Sequence, residues 1–401
     1  MALDPTLPAF FMPPNWREQL LERLQFRTDA IVSEDYTTQT RATRLTPRRS
    51  LEYTVGADAD LRRRFANATY ARGGRRWYLP VWMDGVELLA PATAGSDTIA
   101  ASTALRDFAT GGALFIQSPD LATFELIEIA DVGLLTVTLA GVLANAYPRG
   151  STIYPAVKAR LDLQFSQNAF TSGSAYGRVK FNVVEPNHYG AFEWPTMHRG
   201  FPVLEDRPET NDRDPETVFQ WMLDGLDDEI GIPSYRDPVG VPLYRQAHDW
   251  TLPTRAAINR FRSMAYALEG KRGSIWVPTW ADDLVLSQPY DGGTTPMRVR
   301  ACGAVALSGM VNRRDFRIET RQGGTTNVRY GRVNTITAGA AGVEHLNLGA
   351  ERPGWPVAQD QTLQISWMAL CRSETDNFEF NYFSGEAATV AMAWRARQND
   401  V

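Results

Sequence analysis

Apolar positions along the chain recur with two different periods. Short runs in which apolar and polar residues alternate, such as Leu114 to Gln117, Phe124 to Ile129, Leu134 to Leu139, Phe316 to Thr320 and Asn327 to Thr337, are separated by Gly, Pro, Asn and Asp, the pattern of short β-strands. Two stretches follow helical spacing instead. From about Asp60 to Ala71, Leu61, Phe65, Ala68 and Arg72 fall on one face, and from about Arg255 to Glu269 so do Ile258, Phe261, Ala265 and Leu268. Gly73-Gly74 and Gly270 end these helices, and strands at Ser50 to Val55 and Asp249 to Leu252 precede them. The pattern predicts a mainly β (α+β) fold of β-sandwich or barrel units, each with one helix packed across a sheet face.

The chain also resembles itself. Trp77-Tyr78-Leu79-Pro80-Val81-Trp82-Met83-Asp84 has the pattern of Ile275-Trp276-Val277-Pro278-Thr279-Trp280-Ala281-Asp282, with Pro80/Pro278, Trp82/Trp280 and Asp84/Asp282 identical. Upstream, Phe65 to Ala71 matches Phe261 to Ala267. Downstream, Leu135 to Leu139 corresponds to Glu344 to Leu348, Thr152 to Ala156 to Gln364 to Met368, and the strand Arg178 to Val183 to Thr389 to Trp394. Five blocks in one order predict an internal duplication. Because Pro80, Trp82, Pro278 and Trp280 occur in both units, they read as core and strand-edge features rather than as a site.

The chain then divides into an N-terminal arm over 1–46, a first β-rich unit over 47–185, a proline-rich connector over 186–246 and a second β-rich unit over 247–401. In the arm, the spacing predicts a short helix from Pro14 to Phe26 capped by Asn15, followed by strands at Thr28 to Val32 and Thr37 to Leu45. In the connector it predicts one amphipathic helix from Pro215 to Glu229, with Asp214 as N-cap, Pro215 at the first position and Val218, Trp221, Met222 and Leu226 inward.

Length and composition fit this division: 401 residues, 44% of them hydrophobic, have room for about two cores. With 41 basic and 46 acidic residues the net charge is −5, and no basic run exceeds Arg62-Arg63-Arg64, so no nucleic-acid partner is expected. No apolar run reaches membrane-spanning length, and Met-Ala-Leu-Asp-Pro at the start has no secretory pattern, so no membrane partner or export is expected. Cys302 and Cys371 stand far apart with no metal-ligand spacing, and are expected as buried free thiols.

Candidate chemistry is sparse. His188, His198, His248 and His345 form no metal-binding pattern, and the chain contains neither a Gly-x-Ser-x-Gly elbow nor a phosphate loop, so no catalytic residue, metal or cofactor is assigned. Gly111-Gly112 and Gly323-Gly324 read as hairpin turns. Glycan cleavage needs only two well-placed carboxylates, which keeps Asp224, Asp227, Asp228 and Glu229 of the connector, and Glu125 with Glu128 on a strand, as candidates. On a helix, Asp224 and Asp228 would share a face and could hold a calcium ion or a sugar hydroxyl, but the segment lacks the glycine turn and closing bidentate Glu of a calcium loop, and a solvated acidic face is the better explanation. The candidate interaction residues are aromatic: Trp16 in the arm, and Tyr189, Phe192, Trp194 and Phe201 in the connector, beside His188 and Met197. Such a cluster forms a binding surface for protein or sugar, or plugs the gap between two units.

One further feature is a resemblance. Arg48 to Tyr53, the helix and Gly-Gly that follow, Trp77 to Trp82, the connector segment Gly200-Phe201-Pro202-Val203-Leu204 and Ser274 to Trp280 resemble a group of virion proteins of long-tailed bacteriophages, from the distal end of the tail tube. The resemblance spans nearly the whole chain through short aromatic patterns and carries over no catalytic residue. It implies a non-enzymatic, ring-forming adaptor of the distal-tail type in the tail tip or baseplate, made in the host cytoplasm and incorporated in the virion. Its partners would be further copies of itself and neighbouring tail tube, hub and tape-measure-associated proteins. The alternative reading is a carbohydrate-binding, receptor-binding module or glycan hydrolase using the connector aromatics and carboxylates.

Overall fold

The computed structural model describes residues 3–33, 37–44, 46–164, 166–186, 189–190, 192–209, 216–221, 223–310 and 312–397. The fold is mainly β, with two α-helices among these residues. The arm contributes β1 (Leu20–Gln25) and the hairpin β2 (Thr28–Val32) and β3 (Thr38–Ala42). Then come β4 (Arg48–Asp58), α1 (Ala59–Arg72), β5 (Arg76–Pro80), β6 (Val86–Glu87), β7 (Thr98–Ala100), β8 (Ala113–Gln117), β9 (Phe124–Val132), β10 (Thr136–Leu139), β11 (Thr152–Leu161), β12 (Gln167–Ala169) and β13 (Ser174–Val183). The connector holds β14 (Met197–His198), β15 (Phe201–Pro202), β16 (Glu216–Gln220), β17 (Asp224–Leu226) and β18 (Ser234–Arg236). The remainder is β19 (Leu243–Leu252), α2 (Arg255–Leu268), β20 (Ser274–Pro278), β21 (Met297–Arg300), β22 (Asp315–Gln322), β23 (Thr325–Ala338), β24 (Val343–Leu348), β25 (Thr362–Ser373), β26 (Asn377–Tyr382) and β27 (Ala388–Ala396).

All named strand pairs are antiparallel. In the first half, β4 pairs β13, β5 pairs β11, β11 pairs β8, β8 pairs β9, β9 pairs β10 and β10 pairs β7. In the second half, β19 pairs β27, β20 pairs β25, β25 pairs β22, β22 pairs β23, β23 pairs β24 and β24 pairs β21. Each half has a peripheral core of its own, around Ile116, Val137 and Tyr147 in the first and around Phe316, Leu346 and Trp367 in the second. The largest core is common to both: Phe10, Tyr53, Phe65, Trp77 and Phe181 belong to it with Trp250, Phe261, Phe380 and Trp394.

Both predicted helices form, and Gly73 terminates α1 with a positive φ and an N–H donated to the Thr69 carbonyl. On α2, Ile258, Phe261, Ala265 and Leu268 are all buried, whereas Phe65 is the one buried residue of α1. Gly323-Gly324 makes the two-residue turn between β22 and β23, with positive φ at both positions. Gly111-Gly112 instead lies in the loop that leads into β8. Of the two thiols, Cys371 is buried, where burial pushes its pKa up, but Cys302 is exposed, contrary to expectation.

Two expected helices are strands. The stretch Pro14 to Phe26 holds β1, and Asn15, rather than capping a helix, accepts the Arg17 amide in a tight turn. Leu20, Leu21 and Leu24 suit a helical period as well as an extended one, and the choice falls to pairing: β1 lies between β4 and β26, antiparallel to both. The connector stretch likewise forms β16 along β19, then the hairpin β17–β18. Val218, Trp221 and Leu226 are consequently exposed, while Asp214, Pro215 and Met222 lie outside the described residues.

β1 therefore joins the halves in one continuous sheet, with β4 of the first on one side and β26 of the second on the other. On its solvent side, Arg23 donates to Glu379 at 2.8 Å and lies 3.3 Å from Glu52, one partner from each neighbouring strand. On its buried side Leu20, Glu22 and Leu24 alternate inward. Glu22 is fully buried and accepts from Arg49 of β4 at 2.7 Å, Arg262 of α2 at 3.1 Å and the Tyr382 hydroxyl of β26 at 2.7 Å. Arg262, also fully buried, reaches Asp84 at 3.2 Å, and Asp84 pairs in turn with Arg255. Burial alone would raise the pKa of Glu22 and Asp84, but the facing arginines outweigh it and hold both carboxyls below their ordinary range.

The joint depends on both of its buried charges. Removing one charge leaves its partner buried and unpaired, so Arg262→Met should lower the unfolding free energy in urea by about 3–5 kcal/mol, and Glu22→Gln in the same chain should restore part of the loss. His248 is buried on β19 with Nε2 against Gln246 Oε1 at 2.7 Å, and burial depresses its pKa to about 4. Its neutral form is thus favoured in the fold, and stability falls as pH drops from the ordinary histidine range toward that value. Across this window His248→Gln should flatten the pH dependence by up to one proton, about 1.4 kcal/mol per pH unit.

Candidate interaction surface

The residues that sequence reasoning singled out fall into three places. Pro80 closes β5 opposite Ala156 and Pro278 closes β20 opposite Met368, and all four positions are buried. Trp82 is buried and donates its indole N–H to the Tyr53 hydroxyl at 2.9 Å, while Trp280 is buried beneath the Arg317 guanidinium, 5.0 Å from its ring centre. These residues hold sheets together.

The connector aromatics turn inward. Tyr189 donates to Asn259 at 2.8 Å, accepts from Arg262 at 3.2 Å and stacks on Tyr266, so its hydroxyl extends the buried charge network. Phe192 and Trp194 meet edge to face at 4.6 Å and pack against the shared core. Phe201 lies on the small cluster of Val203, Trp276, Met368 and Leu370. Beside them His198 holds Asp315 at 2.7 Å, and Asp315, fully buried, also binds Arg332 at 2.9 Å. The aromatic stretch is thereby fastened to the second half, filling space against the chain itself. Met197 remains exposed, and His188 lies outside the described residues.

The carboxylate candidates are engaged locally. Asp227 accepts the Glu229 amide, Asp228 accepts those of Ile230 and Gly231, and Asp224 faces Arg236 across the β17–β18 pair, so no helix face unites Asp224 with Asp228. Glu125 accepts the amides of Ala144 and Asn145, and Glu128, three residues on along a strand, points to the other sheet face. Among the described residues no group of three His, Cys, Asp or Glu side chains is placed to hold a metal ion, and no helix is long and apolar enough to cross a membrane.

The structure also leaves a set of large apolar side chains uncovered. The segment from β16 to β18 carries Val218, Phe219, Trp221, Leu223, Leu226, Ile230, Ile232 and Tyr235, all exposed, with Ile232 at 97% and Ile230 at 91%. A helix would turn Val218, Trp221 and Leu226 inward; instead Val218 on β16, Trp221 just after it and Leu226 on β17 are exposed, and the stretch is a projecting arm. At its base lies an apolar cleft of about 110 Å³, lined by Phe219, Pro242, Tyr244, Leu307, Met310 and Trp367. A second projection, the β2–β3 hairpin, exposes Ile31 and Val32, and Trp16 in the N-terminal stretch is 39% exposed. So large an exposed apolar stretch is a candidate interaction surface.

No protein-family model matches this chain, and no curated protein sequence matches it.

The contrast between arm and plug is measurable. The triple change Leu226→Ser, Ile230→Ser, Ile232→Ser should leave the thermal midpoint within about 2 °C, since exposed positions carry little folding energy, while cutting the fluorescence of a bound hydrophobic dye. Trp194→Ala, which empties a packed position, should cost about 2–4 kcal/mol in urea unfolding.

Proposed function

We propose that this chain is a non-enzymatic structural subunit of a long-tailed bacteriophage tail tip or baseplate, a ring-forming adaptor of the distal-tail type built by internal duplication of one β-rich unit. The observation that carries this reading is the pairing succession: the six pairings from β4–β13 to β10–β7 recur, in order, from β19–β27 to β24–β21. The recurring sequence blocks fall on equivalent elements: Phe65 to Ala71 on α1 and Phe261 to Ala267 on α2, and Thr136 to Leu139 on β10 where Glu344 to Leu348 lies on β24. Two like units set side by side in one sheet are a repeating element suited to a ring, where head-to-tail contacts close on themselves.

The remaining features agree with an assembly part. The charged groups Glu22, Asp84 and Arg262 are fully buried in the joint between the units, where no substrate reaches them. The surface offers apolar projections, which suit permanent neighbours such as tail tube, hub and tape-measure-associated proteins. A sugar-binding reading would rest on Tyr189 and Trp194, both engaged by the chain itself.

Sedimentation of the purified protein, alone and mixed with the adjacent tail proteins, tests the proposal. Ring-sized species visible by negative-stain microscopy are expected. A strictly monomeric species that joins no such assembly overturns it.

A further inference from the structure

The two halves differ in how the outer edges of their main sheets are covered. In the first half, β4 has β13 on one side, where Tyr53 faces Val179; in the second, β19 has β27 on one side, where Trp250 faces Val390 at the corresponding place. On the other side of β4 lies β1, with Arg23 opposite Ser50, three residues before Tyr53. On the other side of β19 lies β16, with Glu216 opposite Ala247, three residues before Trp250. β16 therefore takes on the second half the place that β1 takes on the first, with the same antiparallel sense and the same pleat.

Beyond these strands the equivalence stops. The far edge of β1 pairs with β26, which itself lies on β27. The counterpart of β26 in the first half is β12, which lies on β13. Among the described residues, the far edge of β16 has no strand partner, nor has the far edge of β12. Both edges also carry uncovered apolar side chains: Val218 and Phe219 on β16, and Leu163 (88% exposed) and Phe170 (73% exposed) flanking β12. An open edge with apolar side chains is a template for another strand, and one that proteins ordinarily blunt.

We infer that β16 of one copy pairs with the β12 edge of a second copy, so that the junction β4–β1–β26 inside the chain is repeated between chains as β19–β16–β12. The occupant is another copy of this chain because the joint to be reproduced already exists within it: first half, bridging strand, second half. The contact links the second half of one molecule to the first half of the next. It is heterologous, propagates in one direction and closes into a ring in which units from within and between chains alternate. The exposed Val218, Phe219 and Leu163 become the buried flank of the new junction.

This inference rests on the ring-subunit reading, and directional cross-linking of the full chain tests it. In a Cys302→Ser background, which leaves only the buried Cys371, Thr217→Cys is made in one preparation and Leu163→Cys or Asn168→Cys in another. A short bis-maleimide should yield covalent dimers only when the two preparations are mixed, and a ladder when one chain carries both changes. In parallel, Phe219→Asp should raise the concentration for half-assembly by about tenfold or more while leaving the thermal midpoint unchanged. If the unmodified chain assembles but the mixed preparations give no dimers, or either alone gives as many, the pairing is overturned and the ring reading survives. If the unmodified chain stays monomeric even with the adjacent tail proteins, both fall.

Discussion

A fully buried carboxylate on a six-residue strand holds the two halves of this protein in one body. Glu22 is inserted between leucines on the inner face of β1, where an unpaired charge would cost several kcal/mol. It is tolerated because three donors converge on it from three elements: Arg49 from β4, Arg262 from α2 and Tyr382 from β26. Glu22 comes from the arm, Arg49 from the first half and Arg262 and Tyr382 from the second, so the carboxylate is satisfied only when all three are in place. Arg262 passes the constraint on to Asp84, and Asp84 to Arg255, which also binds the carbonyl of Leu105. The network specifies one relative placement of the halves, which hydrophobic burial, being non-directional, would leave less defined.

The distribution of apolar surface follows from that placement. Inside the joint, the aromatic rings of the connector are consumed as filler, with Tyr189 closing over Arg262 at 4.3 Å and Phe192 and Trp194 seated on the shared core. Outside it, the segment from β16 to β18 is held at its base by β19 and otherwise projects with its leucine, isoleucine and tryptophan side chains in water. An apolar projection and open strand edges are the kind of surface that the proposed contacts between copies would use. The absence of charge bias fits as well, since contacts made by strand pairing and apolar contact need no long-range steering.

Much of the architecture was legible in the residues. The helices were read from Phe65 and from Ile258, Phe261, Ala265 and Leu268, because an amphipathic helix that packs on a core repeats its apolar residues at a period its own backbone sets. The peripheral strands were read from short alternating runs for the same reason. The two misread segments share a cause. Leu20, Leu21 and Leu24, like Val218, Trp221 and Leu226, are spaced in a way that suits a helix, yet both segments lie against open strand edges whose unpaired N–H and C=O groups outweigh local preference. The charge network left only a faint trace: Arg255 and Arg262 stand on the apolar stripe of α2, and Glu22 between Leu20 and Leu24, where a charge belongs only if it has a buried partner.

The mainly β class, the positions of the two helices and the sparseness of catalytic patterns are legible along the chain because each depends on residues near one another, and the recurring Trp-Pro-Trp blocks because comparing a chain with itself needs no structure. That β1 bridges the halves, that Tyr189 and Trp194 face inward while Ile230 and Ile232 face water, and that Glu22 meets Arg262 emerge from the folded arrangement alone. Those outcomes depend on pairings between segments some 240 residues apart, Glu22 with Arg262, and no local period records which strand edge or which buried charge a distant segment will meet.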